Sequence, residues 1–242
     1  MEKPKVIFLC AGKGTRLLEL THEIPKPLIE VGGKPLLLHL MELYSHYGHT
    51  EFIVHVGHMK EKIIDWFKFN EDKYPKDWNI VFSEESHSLN TSGGILKAAK
   101  KAGDFENIMV SYGDDLANVN INELYNFHLN HKKKATLTAI QPYSAFGVLD
   151  FDKNNPNLIN EFKEKPKLND WINAGFLVLK KEVIDYLKEG EDFSKTTLPI
   201  LAKEQQLMAY KHTDFWIDIG IYKDVLEART LWDSGKKPWL KR

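Results

Sequence analysis

The stretch "LCAGKGTRLLELTHEIPKPL", residues 9–28, decides the fold because of the apolar run it completes: Val6-Ile7-Phe8-Leu9 stops at Cys10 and Ala11 and gives way to a pair of glycines. A short continuous apolar run that ends in a turn reads as a strand buried on both faces, the pattern of a parallel sheet. The same rhythm extends outward from residues 5–10. Residues 51–56, 80–82, 107–112 and 135–141 read as further strands, and 36–47, 60–69, 95–102 and 121–131 carry helical patterning between them. This alternation predicts an α/β fold, a Rossmann-like, doubly wound and predominantly parallel sheet with helices on both faces.

After residue 141 the rhythm changes. "GVLDFD" and "LINEFKEKP" read as neighbouring strands joined by the polar turn "KNNPN". "WINAGFLVL" is a further strand, "EVIDYL" a short helix, "LMAYKH" a late strand and 222–232 a closing helix. The second half is therefore expected to add an antiparallel elaboration to the sheet. With no linker, internal repeat or low-complexity block, residues 1–242 are expected to form a single domain.

Bulk properties exclude several classes. A chain of 242 residues with a formal net charge of −1 lacks the basic excess of a protein that coats nucleic acid. A single cysteine, Cys10, rules out an intrachain disulfide framework and fits a reducing compartment. No stretch is long and apolar enough to span a bilayer, and "MEKPKVIFLCAGKG" lacks a secretory hydrophobic region. The expectation is a cytoplasmic protein with neither membrane nor nucleic acid as partner.

The glycine loop carries the chemistry. Glycines after a strand let backbone N–H groups approach phosphate oxygens with no side chain in the way. Gly12-Lys13-Gly14-Thr15 has the wrong spacing for a P-loop, and Leu17 stands where the dinucleotide fingerprint needs its third glycine. What remains is G-x-G-T-R followed by P-K-P-L. Thr15 offers a hydroxyl and Arg16 a planar cationic fork suited to phosphate oxygens. Lys26 adds a compact charge between Pro25 and Pro27, which restrict the backbone that carries it. A tight turn with a solvated Arg and Lys is the plainer alternative.

"AGKGTRL…PKPLIEVGGKPLL" resembles the N-terminal signature of the nucleoside-triphosphate-dependent sugar-1-phosphate nucleotidyltransferases, and within them the glucose-1-phosphate cytidylyltransferase group. The similarity continues through "VSYGDDLANVNI", "ATLTAIQP…FGVLDF", "FKEKP", "WINAGFLVL" and "LMAYKHTDFW", and so covers most of the chain. It implies transfer of a nucleotidyl group, from CTP in that group, to a sugar 1-phosphate, with Mg²⁺ as cofactor. By resemblance Ala11, Gly12, Gly14, Thr15 and Arg16 bind the triphosphate, and Thr91 and Gly93 of "NTSGG" lie near the base and ribose. Arg16, Lys26 and Lys165 are the implied catalytic cations. Asp114 and Asp218 are the implied metal ligands, and Glu164, Lys165 and Asn173 the implied acceptor contacts. Self-association into a homo-oligomer is common among such proteins.

Local chemistry alone allows plainer roles: a turn aspartate at 114, a helix N-terminal acid at 218, a helix cap at Thr91 or Ser92. Two departures leave the acceptor open. Ile95 stands where the cytidylyltransferase group is expected to have arginine, and "WIDIG" follows the broader pattern. A phosphorylated non-sugar acceptor and a non-catalytic nucleotide-sugar sensor are the alternatives. Asp115 is expected to point away from the site, and His128 and His131 to lie on a helix surface. Cys10 reads as small packing, and Trp216 and Trp232 as core.

Overall fold

The computed structural model describes residues 3–241, the side chains of Leu18 and Glu19 excepted. Residues 1, 2 and 242 of the expected 1–242 domain lie outside the described residues. The chain runs through β1 (Val6–Cys10), α1 (Leu18–Thr21), the small hairpin β2 (Glu30–Val31) and β3 (Lys34–Pro35), and α2 (Leu36–His46). Next come β4 (Glu51–Val56), α3 (Lys60–Phe69), β5 (Asn79–Glu84), α4 (Asn90–Ala102), β6 (Asn107–Tyr112), β7 (Asp115–Ala117) and α5 (Ile121–His131). β8 (Ala135–Ile140), β9 (Val148–Phe151), β10 (Ile159–Lys163), β11 (Ile172–Lys180), α6 (Thr197–Lys203), β12 (Leu207–Lys211), β13 (Trp216–Asp218) and α7 (Tyr222–Asp233) follow.

Seven strands make one sheet in the order β12-β8-β11-β6-β1-β4-β5. β11 runs antiparallel to both its neighbours, and the other adjacent pairs are parallel. This is the mostly parallel α/β sheet that the alternation predicts. From β1 the chain steps outward to β4 and β5, then crosses back to β6 on the other side of β1. That reversal opens a crevice where the chains leaving β1 and β6 diverge.

Side-chain alternation along β1 sorts the core into two layers. Val6, Phe8 and Cys10 face α2, α3 and α5, where Met41, Tyr44, Ile63, Phe67 and Leu124 are buried. Ile7 faces α4 and α6, where Ile95, Ala98, Leu198 and Leu201 are buried. A third cluster sits beneath the crevice: Leu17, Ile29, Val31, Leu36, Leu116, Ile219, Val225 and Trp239. Trp239 donates its indole N–H to Nδ1 of His39, at 3.3 Å, which binds Val31 O through Nε2 at 2.9 Å. Trp232 stacks on Trp239 with ring centroids 6.3 Å apart, consistent with a packing role.

Several local readings need correction. The loop expected at "NTSGG" is the first turn of α4, which starts at Asn90 rather than 95. The loop around residues 189–193 supplies its partners. Asn90 donates from Nδ2 to Gly190 O at 2.7 Å, and Thr91 Oγ1 accepts from Phe193 N–H at 2.7 Å. "EVIDYL" forms a 3₁₀ helix, Lys181–Tyr186. α6 was not anticipated because Pro199 interrupts its pattern, yet proline is tolerated in a first turn whose N–H groups lack intrahelical partners. No helix among the described residues is long and apolar enough to cross a membrane.

His128 is buried rather than on a helix surface. A polar chain explains how. His131 Nδ1 accepts from Lys133 N–H, which leaves its Nε2–H to donate to Thr136 Oγ1 at 2.7 Å. Thr136 then donates to His128 Nδ1 at 2.8 Å, and His128 Nε2–H donates to Asn107 Oδ1 at 3.0 Å. Burial, with help from His131 and Lys180, lowers the His128 pKa to about 4. Below an unfolded-state value of about 6.5 the unfolded chain takes up a proton that the folded chain refuses. The stabilisation is therefore complete above pH 6.5 and is lost as pH falls from there towards 4. His49, His55 and His212, lowered by burial too, act in the same direction. The raised carboxyls of Asp114 and Asp115 act in the opposite direction, so the readout is the difference between proteins: His128→Gln should show a shallower fall of thermal midpoint from pH 6.5 to 4 than wild type. Equal slopes in the two proteins would contradict the buried neutral imidazole.

Candidate active site

The glycine loop folds on itself at Gly14. Its φ is +60° and an added Cβ would lie 2.9 Å from Thr21 Cγ2, so a side chain does not fit without displacement. Gly14 O accepts from Leu17 N–H and from the Thr21 hydroxyl, both at 2.9 Å. Leu17 is buried in the third cluster, which leaves Thr15 and Arg16 turned outward. Ala11 O accepts from His58 N–H at 3.1 Å and ties the loop to the end of β4. Pro25 precedes and Pro27 sits within a 3₁₀ turn that begins at Lys26, which is carried inward to 8% residue exposure.

Two carboxylates meet that lysine, and a third lies beside them. Asp114 follows Gly113 just beyond β6 and ion-pairs with Lys26. Lys26 Nζ lies 3.4 Å from Asp218 Oδ1, and Arg16 Nη2 lies 4.0 Å from Asp218 Oδ2. Asp115 on β7 is registered directly opposite Asp218 on β13, so their side chains share a face. One oxygen from each of Asp114, Asp115 and Asp218 falls within 4.8 Å of the others. Asp115 is only 3% exposed. Burial pushes its carboxyl well up, the charges of Asp114 and Asp218 push it further, and Lys26 opposes them. Burial also raises Asp114, against the pull of Lys26. Three carboxylates against two cations, Lys26 and Arg16, leave one negative charge when all are ionised. An all-oxygen donor set with excess negative charge fits a hard divalent cation.

Two cavities meet at this cluster. One, of about 260 Å³, is lined by Gly12, Gly14, Thr15, Arg16, Lys26 and Asp114 among others. The second, of about 370 Å³, is lined by Arg16, Asp114, Asp115, Tyr112, Asn173, Trp216 and Asp218. Arg16 and Asp114 border both. Gly175, at a bulge in β11, has φ +80°, and a Cβ there would fall 2.8 Å from Asp115 Oδ2. Glycine thus lets β11 press against the carboxylates. It also presents Gly175 N–H to Asn173 Oδ1, at 3.0 Å, which fixes the amide at the second cavity's wall. Cys10 is buried with its thiol pushed up by burial, the packing role expected of it.

Of the residues singled out in the sequence, Gly12, Gly14, Thr15, Arg16, Lys26, Asp114, Asn173 and Asp218 are brought together. Others stand apart. Glu164 and Lys165 lie in the exposed turn after β10, 3.6 Å from each other, and line neither cavity. Thr91 and Gly93 are engaged with the 189–193 loop in the start of α4 and also line neither. Asp115 is a correction: it faces the cluster rather than pointing away. Its signal was the acidic dipeptide after a strand, readable only once β7 was seen to pair with "WID". Trp216, expected as core, is half-buried and lines the second cavity while donating to Ala174 O at 3.1 Å.

A family profile described as nucleotidyl transferase matches residues 5–234. A Bacillus subtilis protein named "Probable glucose-1-phosphate cytidylyltransferase" is 39% identical over 97% of this chain and 98% of its own length. The glucose-1-phosphate cytidylyltransferase of Salmonella typhi is 35% identical over the same shares. A mannose-1-phosphate guanyltransferase of Saccharomyces cerevisiae is 37% identical over 94% of this chain and 64% of its own length. Among solved structures, HddC from Yersinia pseudotuberculosis, complexed with GMP-PN, superposes with a TM-score of 0.75 at 26% identity, covering 95% of this chain and all of that one. With its glycine loop, basic pair and carboxylates in one crevice, the chain belongs to the nucleotidyl transferase family.

Proposed function

We propose that the protein transfers a cytidylyl group from CTP to a sugar 1-phosphate, glucose 1-phosphate first among them, releasing pyrophosphate. The observation that carries the reaction class is Lys26 on the wall of the smaller cavity, held between Asp218 and the Asp114 that borders both cavities. The choice of CTP and glucose 1-phosphate rests on the near full-length relatives of that name. Guanylyl transfer to mannose 1-phosphate is the second reading, favoured by the yeast relative and by the GMP-PN complex of HddC.

The acceptor phosphate is its own nucleophile. A phosphate monoester has a second pKa of about 6, so near neutral pH it is largely ionised and no general base is required. The problem is to hold two polyanions in line and to offset the charge that gathers on the reacting oxygens. The Gly12–Thr15 backbone and Arg16 hold the triphosphate in the smaller cavity. Lys26, in the smaller cavity and paired with Asp114, offsets charge at the α-phosphate. Asn173 presents its amide to the acceptor in the larger cavity, with Lys165 binding the acceptor phosphate from the exposed turn. Asp114 and Asp218, with Asp115 beside them, would hold Mg²⁺, which when bound supplies positive charge against triphosphate oxygens.

Pyrophosphate release, measured for each common nucleoside triphosphate against a panel of phosphorylated acceptors with product mass recorded, tests this reading. CTP with glucose 1-phosphate, giving CDP-glucose, is expected. GTP with mannose 1-phosphate would replace it with the second reading, and binding without release from any pair would favour a sensor. Asp218→Asn should lower turnover by at least about 100-fold while the fold is retained. Lys165→Ala should raise the acceptor KM and leave that for CTP near wild type. For the metal, Asp115→Asn should weaken Mn²⁺ binding, read by calorimetry or paramagnetic resonance without substrates, by about tenfold. Unchanged affinity would remove Asp115 from the metal site.

A further inference from the structure

A buried side-chain pair links the ends of β4 and β5 beside the glycine loop. His55, 1% exposed on β4, donates from Nε2–H to Oε2 of Glu85, just past the end of β5, at 3.2 Å. A carboxylate only accepts, so Nε2 carries the hydrogen, and Nδ1 of the neutral ring accepts from the Ser83 hydroxyl at 3.3 Å. Burial lowers the imidazole pKa against the pull of Glu85, which keeps the ring neutral. The same Oε2 also accepts from Leu89 N–H at 3.2 Å, so both its lone pairs are engaged. Two glycines make room for the pair. A Cβ at Gly94 would fall 3.0 Å from the His55 ring, and one at Gly57 would fall 2.6 Å from Glu85 Oε1 and 3.0 Å from Ala11 Cβ. Glu85 Oε1 therefore lies next to Ala11, where the loop assigned to the triphosphate begins. Leu89 leads into the start of α4, which resemblance assigns to base and ribose. The Glu85 side chain is only 10% exposed, and its Oε1 makes no hydrogen bond among the described residues.

We propose that Glu85, held in place by His55, reads the nucleobase: its free oxygen accepts from a single exocyclic amino group, that of cytosine, and so selects CTP over UTP. The proposal rests on the nucleotidyl-transfer reading for where the nucleoside lies. Phosphate oxygens accept hydrogen bonds themselves and are no partner for a carboxylate. Cytosine offers the N4 amino group, from which carboxylates accept, whereas uracil has a carbonyl oxygen at that place and would set acceptor against acceptor. Leaving Oε1 unpaired beside a bound uracil costs more than the bond forgone, the asymmetry that makes polar readout selective. Guanine presents two parallel donors, N1–H and N2–H, which match a carboxylate with both oxygens free, and here one is taken. Glu85→Gln would turn this edge round. Its carbonyl must replace Oε2, because His55 and Leu89 both donate there, and its amide N–H₂ then faces the base. His55 is thus a positioning residue, acting through Glu85.

Calorimetric titration of the full chain with CTP, UTP and GTP, with Mg²⁺ and without acceptor, tests the proposal. The wild type is expected to bind CTP at least about tenfold tighter than UTP or GTP. Glu85→Gln should abolish or invert the preference for CTP over UTP. His55→Leu should shrink it, and His55→Gln, whose amide N–H can still donate, should restore it. Should these variants fail to fold, the wild type carries the test by itself: a CTP analogue without the N4 amino group should bind at least about tenfold more weakly than CTP. A CTP-to-UTP ratio that is the same in Glu85→Gln and wild type, or an analogue that binds like CTP, would overturn the proposal. So would equal losses for CTP and UTP in Glu85→Gln, which would assign Glu85 to the ribose that both carry. A chain that prefers CTP through Glu85 yet transfers nothing would sink the transfer reading and uphold this one. Transfer from CTP with a preference untouched by Glu85→Gln would do the reverse.

Discussion

The arrangement of the site depends on the reversal of strand order at β1. Because β4 and β5 are laid down on one side and β6 on the other, the loops leaving β1 and β6 emerge side by side at the same edge of the sheet. One loop brings backbone N–H groups and cations, the other brings acids. Neither loop makes the site alone, and neither could be moved to another strand pair without separating Lys26 from Asp114. The antiparallel β11 then closes the far side, its bulge at Gly175 bringing Asn173 to the carboxylates.

Within that frame the cation–carboxylate cluster is held by opposing terms. Burial alone would favour neutral Asp114 and Asp115, whereas Lys26 favours the ionised form of both. A buried pair of this kind adds little net stability, because desolvation offsets most of the attraction. Its consequence is positional: it gathers an ammonium and three carboxylates beside the two cavities, the arrangement that the proposed reaction would use.

Much of this was legible in the sequence, for physical reasons that differ by residue. β1, β4 and β6 showed because strands buried on both faces read as mainly apolar runs. Gly14 and Lys26 showed because a glycine turn and a proline-flanked lysine are local devices. Asp115 did not, because its meaning comes from pairing with Asp218, more than a hundred residues away, and a three-residue strand leaves no periodicity to read. His128 was misplaced for a similar reason. An imidazole on a helix looks like surface until Thr136 and Asn107, on two different strands, satisfy both its nitrogens. Lys165 and Glu164 remain the positions where family resemblance says more than geometry does, since both stand in the open turn after β10.

The cluster beneath the crevice carries a kinetic consequence. Leu17, Leu36, Leu116, Ile219 and Trp239 come from both ends and the middle of the chain, whereas β1, β4 and β5 pair between near neighbours. Contacts that close loops of two hundred residues bear the largest entropy of closure and are rewarded only after the intervening chain is ordered. The platform under Arg16 therefore carries the largest closure cost in the fold and is expected to form late, Trp239 docking against His39 across 200 residues.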